Sequence, residues 1–183
     1  MLISIHALRW AAVAVAVACA TVLSSTAAMA AVPRSNGLQG TPRCLTSHLR
    51  VALRYGGAAA GANYYQLRFT NRSQVTCHLS GYPGVAGVNR HGKQLGSEAA
   101  RLTAFRVRLV VLRPGGTAHA VLGITDVIDL PSQGCRRTTA AGLRVFPPHA
   151  FQPTFLRFRF AACSRRGPVY LHVTAIRPGT RLP

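Results

Sequence analysis

From residue 44 onward, apolar and polar side chains alternate with a period of two, the spacing of strands that bury one face. Leu49, Val51, Leu53 and Tyr55 share one face, with Arg50 and Arg54 opposite. Small residues at 56–61 make a turn, and Tyr65, Leu67 and Phe69 resume the alternation with Gln66 and Arg68 outward. The two segments predict a hairpin. Asn71, Arg72 and Ser73 turn the chain next. Gly81-Tyr82-Pro83-Gly84 then bends it sharply, because proline fixes its own φ and glycine reaches conformations that cost other residues energy.

Residues 85–89 read as a short strand, Asn89-Arg90-His91-Gly92-Lys93 as a turn, and Leu95 as the start of the return. Phe105, Val107, Leu109 and Val111 alternate with Arg106 and Arg108, which predicts a strand with those arginines facing solvent. Arg113-Pro114-Gly115-Gly116 turns into a strand over 118–125. A loop at 126–141 follows, then strands over 143–146, 156–160 and 169–176, the first two separated by Pro147-Pro148. No long stretch carries helical period. Eight or nine short strands between turns predict an all-β fold, an antiparallel β-sandwich of the immunoglobulin-like Greek-key kind. It occupies one domain at 44–177, with a tail at 178–183.

Ahead of that domain the pattern is different. His6 and Arg9 give a weakly positive start, Trp10 to Leu23 is apolar, and Ala28-Met29-Ala30 fits a small-x-small cleavage site. Residues 1–30 therefore read as a signal peptide cut between Ala30 and Ala31, with a flexible lead at 31–43 containing Pro33, Gly37, Gly40 and Pro42. The uncharged stretch is long enough to span a membrane uncleaved, but its alanine content makes it a poor permanent anchor. Lipidation at Cys19 is disfavoured by the lack of a preceding leucine. The expected location is the extracellular space or the cell envelope.

Of the five cysteines, Cys19 leaves with the signal, and Cys44, Cys77, Cys135 and Cys163 remain. An even number in an exported chain reads as two disulfides, whereas a zinc site would show close pairs of the C-x-x-C kind. The hairpins select a connectivity. Cys44 and Cys77 flank the first one, and Cys135 and Cys163 flank the one at 143–160, so Cys44–Cys77 and Cys135–Cys163 need the least rearrangement.

Charge changes the picture more than composition does. Lys and Arg number 22 against 3 Asp and Glu, a formal net charge of +19, and Lys93 is the sole lysine. A GC-rich genome would favour Arg over Lys without selection, but the total charge still creates a positive field that attracts polyanions. Arg50, Arg54, Arg68, Arg106, Arg108, Arg144, Arg157 and Arg159 all fall on outward strand positions and would form a basic stripe. Arg106, Arg108, Arg157 and Arg159 are the candidate polyanion-binding residues. The partners that fit are an anionic envelope polymer or an anionic membrane surface. Nucleic acid fits least, since an exported domain rarely meets it and most aromatics read as core.

Catalytic chemistry finds little support. Glu98, Asp126 and Asp129 are the entire carboxylate supply, and Asp126 and Asp129, close together in a loop without a third partner, read as turn chemistry or an Arg contact rather than a hydrolytic pair or a metal site. His48, His78, His91, His119, His149 and His172 are scattered, with His91 in a turn and His119 and His172 on solvent faces of strands. No serine elbow and no phosphate loop is present. Asn71-Arg72-Ser73 matches a glycosylation acceptor but reads better as a turn. No catalytic residue, metal or cofactor is assigned, and a monomer is expected. The expected function is a non-catalytic binding or structural module, the alternative being a secreted enzyme whose site is assembled from distant loops.

The residues also carry a resemblance. Cys44, Phe69-Thr70-Asn71, Cys77-x-Leu79-x-Gly81-Tyr82-Pro83-Gly84-Val85 and His91-Gly92 with Leu95-Gly96 come first. Leu112-x-Pro114-Gly115-Gly116-Thr117-Ala118, Cys135, Leu143-x-Val145-x-Pro147-Pro148 and Cys163 follow. Together they resemble the secreted four-cysteine domain of unknown function numbered 4232, a family of high-GC Gram-positive bacteria. The resemblance implies an exported, disulfide-linked β-sandwich and carries no catalytic or ligand-binding residues with it. Many such proteins are lipoproteins or have longer leads, from which this chain departs.

Overall fold

A computed structural model describes residues 40–180 apart from Phe105, Arg166 and Pro168. The signal segment, its cleavage point at Ala30 and Ala31, residues 31–39 of the lead and residues 181–183 of the tail lie outside the described residues.

Apart from a short 3-10 turn at Thr46–His48, the described residues are all-β, a sandwich of twelve strands rather than eight or nine. In order they are β1 (Leu49–Ala59), β2 (Ala62–Asn71), β3 (Cys77–Ser80), β4 (Gly84–Val88), β5 (Gln94–Leu95) and β6 (Ala100–Leu102). β7 (Leu109–Leu112), β8 (Thr117–Thr125), β9 (Arg137–Phe146), β10 (Thr154–Cys163), β11 (Leu171–Thr174) and β12 (Arg177–Pro178) follow. One sheet has the order β1-β2-β8-β11-β6, with β12 also on β8; the second runs β10-β9-β4-β5; β3 and β7 pair separately. All pairings between strands are antiparallel except β11 with β6.

One core fills the space between the layers. Leu67, Phe69, Ala118, Ala120, Leu122, Leu171 and Val173 come from the first sheet, and Val85, Ala140, Leu143 and Val145 from the second. Disulfides join Cys44 to Cys77 and Cys135 to Cys163, which indicates folding in an oxidising environment. Asn71 closes the β2 turn from a buried position. Its amide donates to the carbonyls of Val75 and Leu112, and its carbonyl oxygen accepts from the Ser73 backbone and hydroxyl. This is the turn role, with the side chain fully engaged.

Four local readings are corrected. Residues 56–59 continue β1 instead of turning; the register shifts between Tyr55 and Gly57, and the turn is Ala60-Gly61, both at positive φ (48° and 69°). β9 begins at Arg137, inside the segment read as loop. Arg106 and Arg108 are not on a strand, because β7 begins at Leu109. The phase there is also opposite to the reading: Val110 and Leu112 are buried, whereas Val107, Leu109 and Val111 are exposed.

The fourth correction concerns His119, read as a surface residue but only 1% exposed. After β11, β12 pairs along the edge of β8 in the same sheet, Arg177 opposite His119 and Pro178 opposite Ala118, and the chain then passes over the outer side chains of the sheet at Gly179 and Thr180. His119 Nδ1 hydrogen-bonds the Gly179 carbonyl (2.9 Å), and Gln66 donates to the Thr180 carbonyl (2.7 Å). The last described residues are thus a strap over the first sheet. His172, on the same face, is half-buried.

Candidate functional site

The site arises where strand pairing stops. β4 pairs with β9 only as far as Val88 opposite Gly142, then turns away at Asn89. β9 continues for another five residues, to Arg137, held on its other side by β10 up to Cys163. Thr138 to Ala141 therefore lack a β4 partner and form the floor of an open cleft of about 940 Å³. One wall is the β4–β5 turn with Asn89, Arg90 and His91, and the other is β10 with Phe155, Arg157, Phe158 and Arg159.

Each wall is built locally. Asn89 accepts backbone N–H bonds from His91 (2.9 Å) and Lys93 (3.0 Å) through its side-chain oxygen, and Gly92 takes the positive φ of 75° that the turn requires. This side-chain cap leaves Arg90 and His91 exposed at the rim. On the other wall, β10 carries a bulge: the register slips between Arg157 and Phe160, so Phe158 and Arg159 together face Ala141. Arg157 and Arg159 stay on the solvent side of β10 while Leu156, Phe158 and Phe160 pack against the core. The Cys135–Cys163 disulfide lies beside the last β9–β10 pair, Arg137 with Cys163, and ties the floor to this wall.

A glycine fixes the ring that borders the cleft. A Cβ on Gly142 would strike the Leu156 carbonyl oxygen and meet the Phe155 ring at 2.6 Å. Phe155 therefore lies against the bare backbone of β9 at Gly142 and remains 52% exposed. Beyond β10 a second hollow of about 370 Å³ is lined by Leu53, Tyr55, Tyr65 and Leu156, and it shares Phe155, Arg157 and Phe158 with the cleft. Tyr55, Tyr65 and Phe158 make consecutive edge-on ring contacts there, at centroid distances of 5.6 and 5.0 Å. Burial first, and the neighbouring Tyr55 hydroxyl second, push the Tyr65 phenol above its ordinary range. Tyr55 is 64% exposed. Tyr55 and Phe155 depart from the reading of aromatics as core, because β1 and β10 are both sheet edges and leave rings between them open to solvent, while Tyr65, Phe158 and Phe160 still pack against the core.

The arginines divide into engaged and free. Arg68 donates to Gln66, Arg137 to the carbonyls of Val127 and Ile128, and Arg144 to Gln94. No hydrogen bond or ion pair within the described residues occupies the guanidinium groups of Arg90, Arg157 or Arg159. None of Glu98, Asp126 and Asp129 lines the cleft. Asp126 is used locally, accepting from the Ile128 backbone at 3.1 Å.

The single stripe is therefore replaced by separate surfaces. Arg50, Arg54 and Arg68 lie on the outer side of the first sheet, and Arg157 and Arg159 on that of the second. Arg106 and Arg108, exposed ahead of β7, do not line the cleft. Sequence reading missed Arg90, His91 and the Thr138–Thr139 floor as site residues. The turn composition at 89–93 was the only available signal, and it marks a turn without saying what the turn borders. Among the described residues no cluster of His, Cys, Asp or Glu could hold a metal ion, and no helix is long and apolar enough to cross a membrane.

Comparison with known proteins places the domain. The family model described as Domain of unknown function (DUF4232) matches residues 44–177. No curated protein and no solved structure matches the chain.

Proposed function

The chain belongs to the DUF4232 family, and we propose that it is an exported, non-catalytic binding module that takes anionic polymers of the cell envelope or its surroundings into the β9–β10 cleft. The observation carrying this reading is the composition of the cleft: Arg90, His91, Arg157 and Arg159 converge on it, and no carboxylate lines it. Guanidinium groups present fixed, permanently charged forks that match carboxylate and phosphate oxygens. The net charge of +19 would steer a polyanion toward the molecule over longer range. The cleft would supply the local contacts.

Binding of this kind releases counterions, so affinity falls steeply with salt. The test is binding of an anionic envelope polymer from low to physiological salt by the parent, Arg157→Ser/Arg159→Ser and Arg106→Ser/Arg108→Ser. Each engaged arginine that is removed flattens the log–log salt slope by roughly one. The cleft pair should therefore lose affinity and flatten the slope by about two, while the Arg106/Arg108 pair stays close to the parent. Equal losses from both pairs, or binding that ignores salt, would overturn the assignment to the cleft.

A further inference from the structure

The cleft and the hollow beyond β10 differ in chemistry, and the difference narrows the ligand. The cleft supplies Arg90, His91, Arg157 and Arg159, whereas the hollow is formed by Leu53, Tyr55, Tyr65, Leu156 and Phe158, with Arg157 its single cation. Phe155, Arg157 and Phe158 border both, so one extended ligand can run across β10 and occupy the two together. A ring-free polyanion would satisfy the cleft but leave Tyr55 and Phe155 facing its charges. A single-stranded nucleic acid also pairs rings with charges, but the two disulfides point to an oxidising compartment, where such a ligand is rarely met.

Resting on the polyanion reading above, we infer that the ligand is an acidic glycan, a chain whose sugar rings stack on Phe155 and Tyr55 while its carboxylates or phosphates meet Arg90, Arg157 and Arg159. Phe155 suits this role physically. Its ring is held against the backbone at Gly142, so little side-chain freedom is lost when a sugar face settles on it. Sugar rings present apolar C–H faces between hydroxyls, and an acidic sugar carries its charge at the ring edge, so a ring can lie flat on an aromatic face while its charge reaches a neighbouring arginine. The Thr139 hydroxyl, on the exposed parity of β9, adds a donor and an acceptor for hydroxyl groups.

The experiment titrates the purified, oxidised protein at fixed physiological salt with three probes of matched charge: hexagalacturonate, linear polyphosphate and oligothymidylate. The variants are Phe155→Leu, Tyr55→Ser and Arg157→Ser/Arg159→Ser, each checked by circular dichroism and thermal unfolding. The parent should bind hexagalacturonate tightest. Phe155→Leu, which keeps an apolar cover over Gly142, should weaken hexagalacturonate about tenfold and polyphosphate less than twofold, roughly the ratio expected when one stacked ring is lost. The arginine pair should weaken both probes. If Phe155→Leu binds hexagalacturonate like the parent, or weakens both polyanions equally, the glycan inference is overturned and charge-only binding stands. If oligothymidylate binds tightest and depends on Phe155, the ligand is single-stranded nucleic acid and the inference fails. If the parent binds none of the probes, this inference and the reading beneath it both fall.

Discussion

Tyr170 offers the sharpest energetic test of how the cleft's turn is held. Its side chain is fully buried, and its hydroxyl donates to the Leu95 carbonyl at 2.7 Å. The hydroxyl comes so close to Gly87 that a Cβ there would lie 2.7 Å away, and the ring would meet one on Gly96 at 2.6 Å. Tyr170 thus wedges against β4 and β5, the two strands that carry the Arg90–His91 turn. Burial pushes its phenol up to about 12 from the ordinary 10. The folded state therefore holds this proton more tightly than the unfolded state. Between pH 10 and 12 the unfolded chain has fewer bound protons, so stability falls as pH rises. The loss is about 1 kcal/mol by pH 11 and roughly 3 kcal/mol in full.

Tyr170→Phe removes both the proton and the hydrogen bond. It should cost about 1–3 kcal/mol at pH 7 by leaving the buried Leu95 carbonyl without that donor. It should also lose the alkaline decline, so the parent and variant curves converge as pH approaches 11. Urea unfolding of both proteins at pH 7, 9, 10 and 11 measures this. Arginines stay charged throughout, and the other tyrosines contribute equally to both curves. An unchanged gap between parent and variant across the series would refute the assigned linkage.

Further outcomes follow from the same geometry. Gly142→Ala forces a methyl against the Leu156 carbonyl and the Phe155 ring, and should destabilise by about 3 kcal/mol in thermal or chemical unfolding while weakening ligand binding. Replacing Cys135 and Cys163 by alanine opens a tie across 28 residues, with an expected loss of about 3–4 kcal/mol in the chain-entropy account. Asn71→Ala removes the amide donor to the Leu112 carbonyl, while the Val75 carbonyl keeps the Ser73 hydroxyl, and should cost about 1–3 kcal/mol in the same assay.

The fold was legible where one parity of the alternation is plainly apolar. The β1–β2 hairpin is such a case, with Leu67 and Phe69 in and Arg68 out. It was illegible where both parities are apolar. In the run Val107-Arg108-Leu109-Val110-Val111-Leu112 either phase can be drawn, and the buried one belongs to Val110 and Leu112. The start of β9 was hidden for the opposite reason, since Arg137-Thr138-Thr139-Ala140-Ala141 is scarcely apolar although Ala140 is fully buried. His119 was misassigned because its cover comes from Gly179, far along the chain. The cleft needed three such facts at once: where β4 stops pairing, where β10 bulges, and which arginines are already engaged. Alternation along a strand reports the faces of that strand and carries no information on its partner's register.

The central claim is that the cleft, among several basic surfaces, is the binding site, and an amide chemical-shift map tests it most directly. The ¹⁵N-labelled oxidised protein would be titrated with the anionic polymer at physiological salt, where screening beyond about 8 Å suppresses diffuse attraction. The account predicts perturbations concentrated at residues 89–91, 138–141 and 155–159, with the amides of Arg50, Arg68, Arg106 and Arg108 little changed. Largest shifts at those four arginines, or small shifts spread evenly over the molecule, would contradict it.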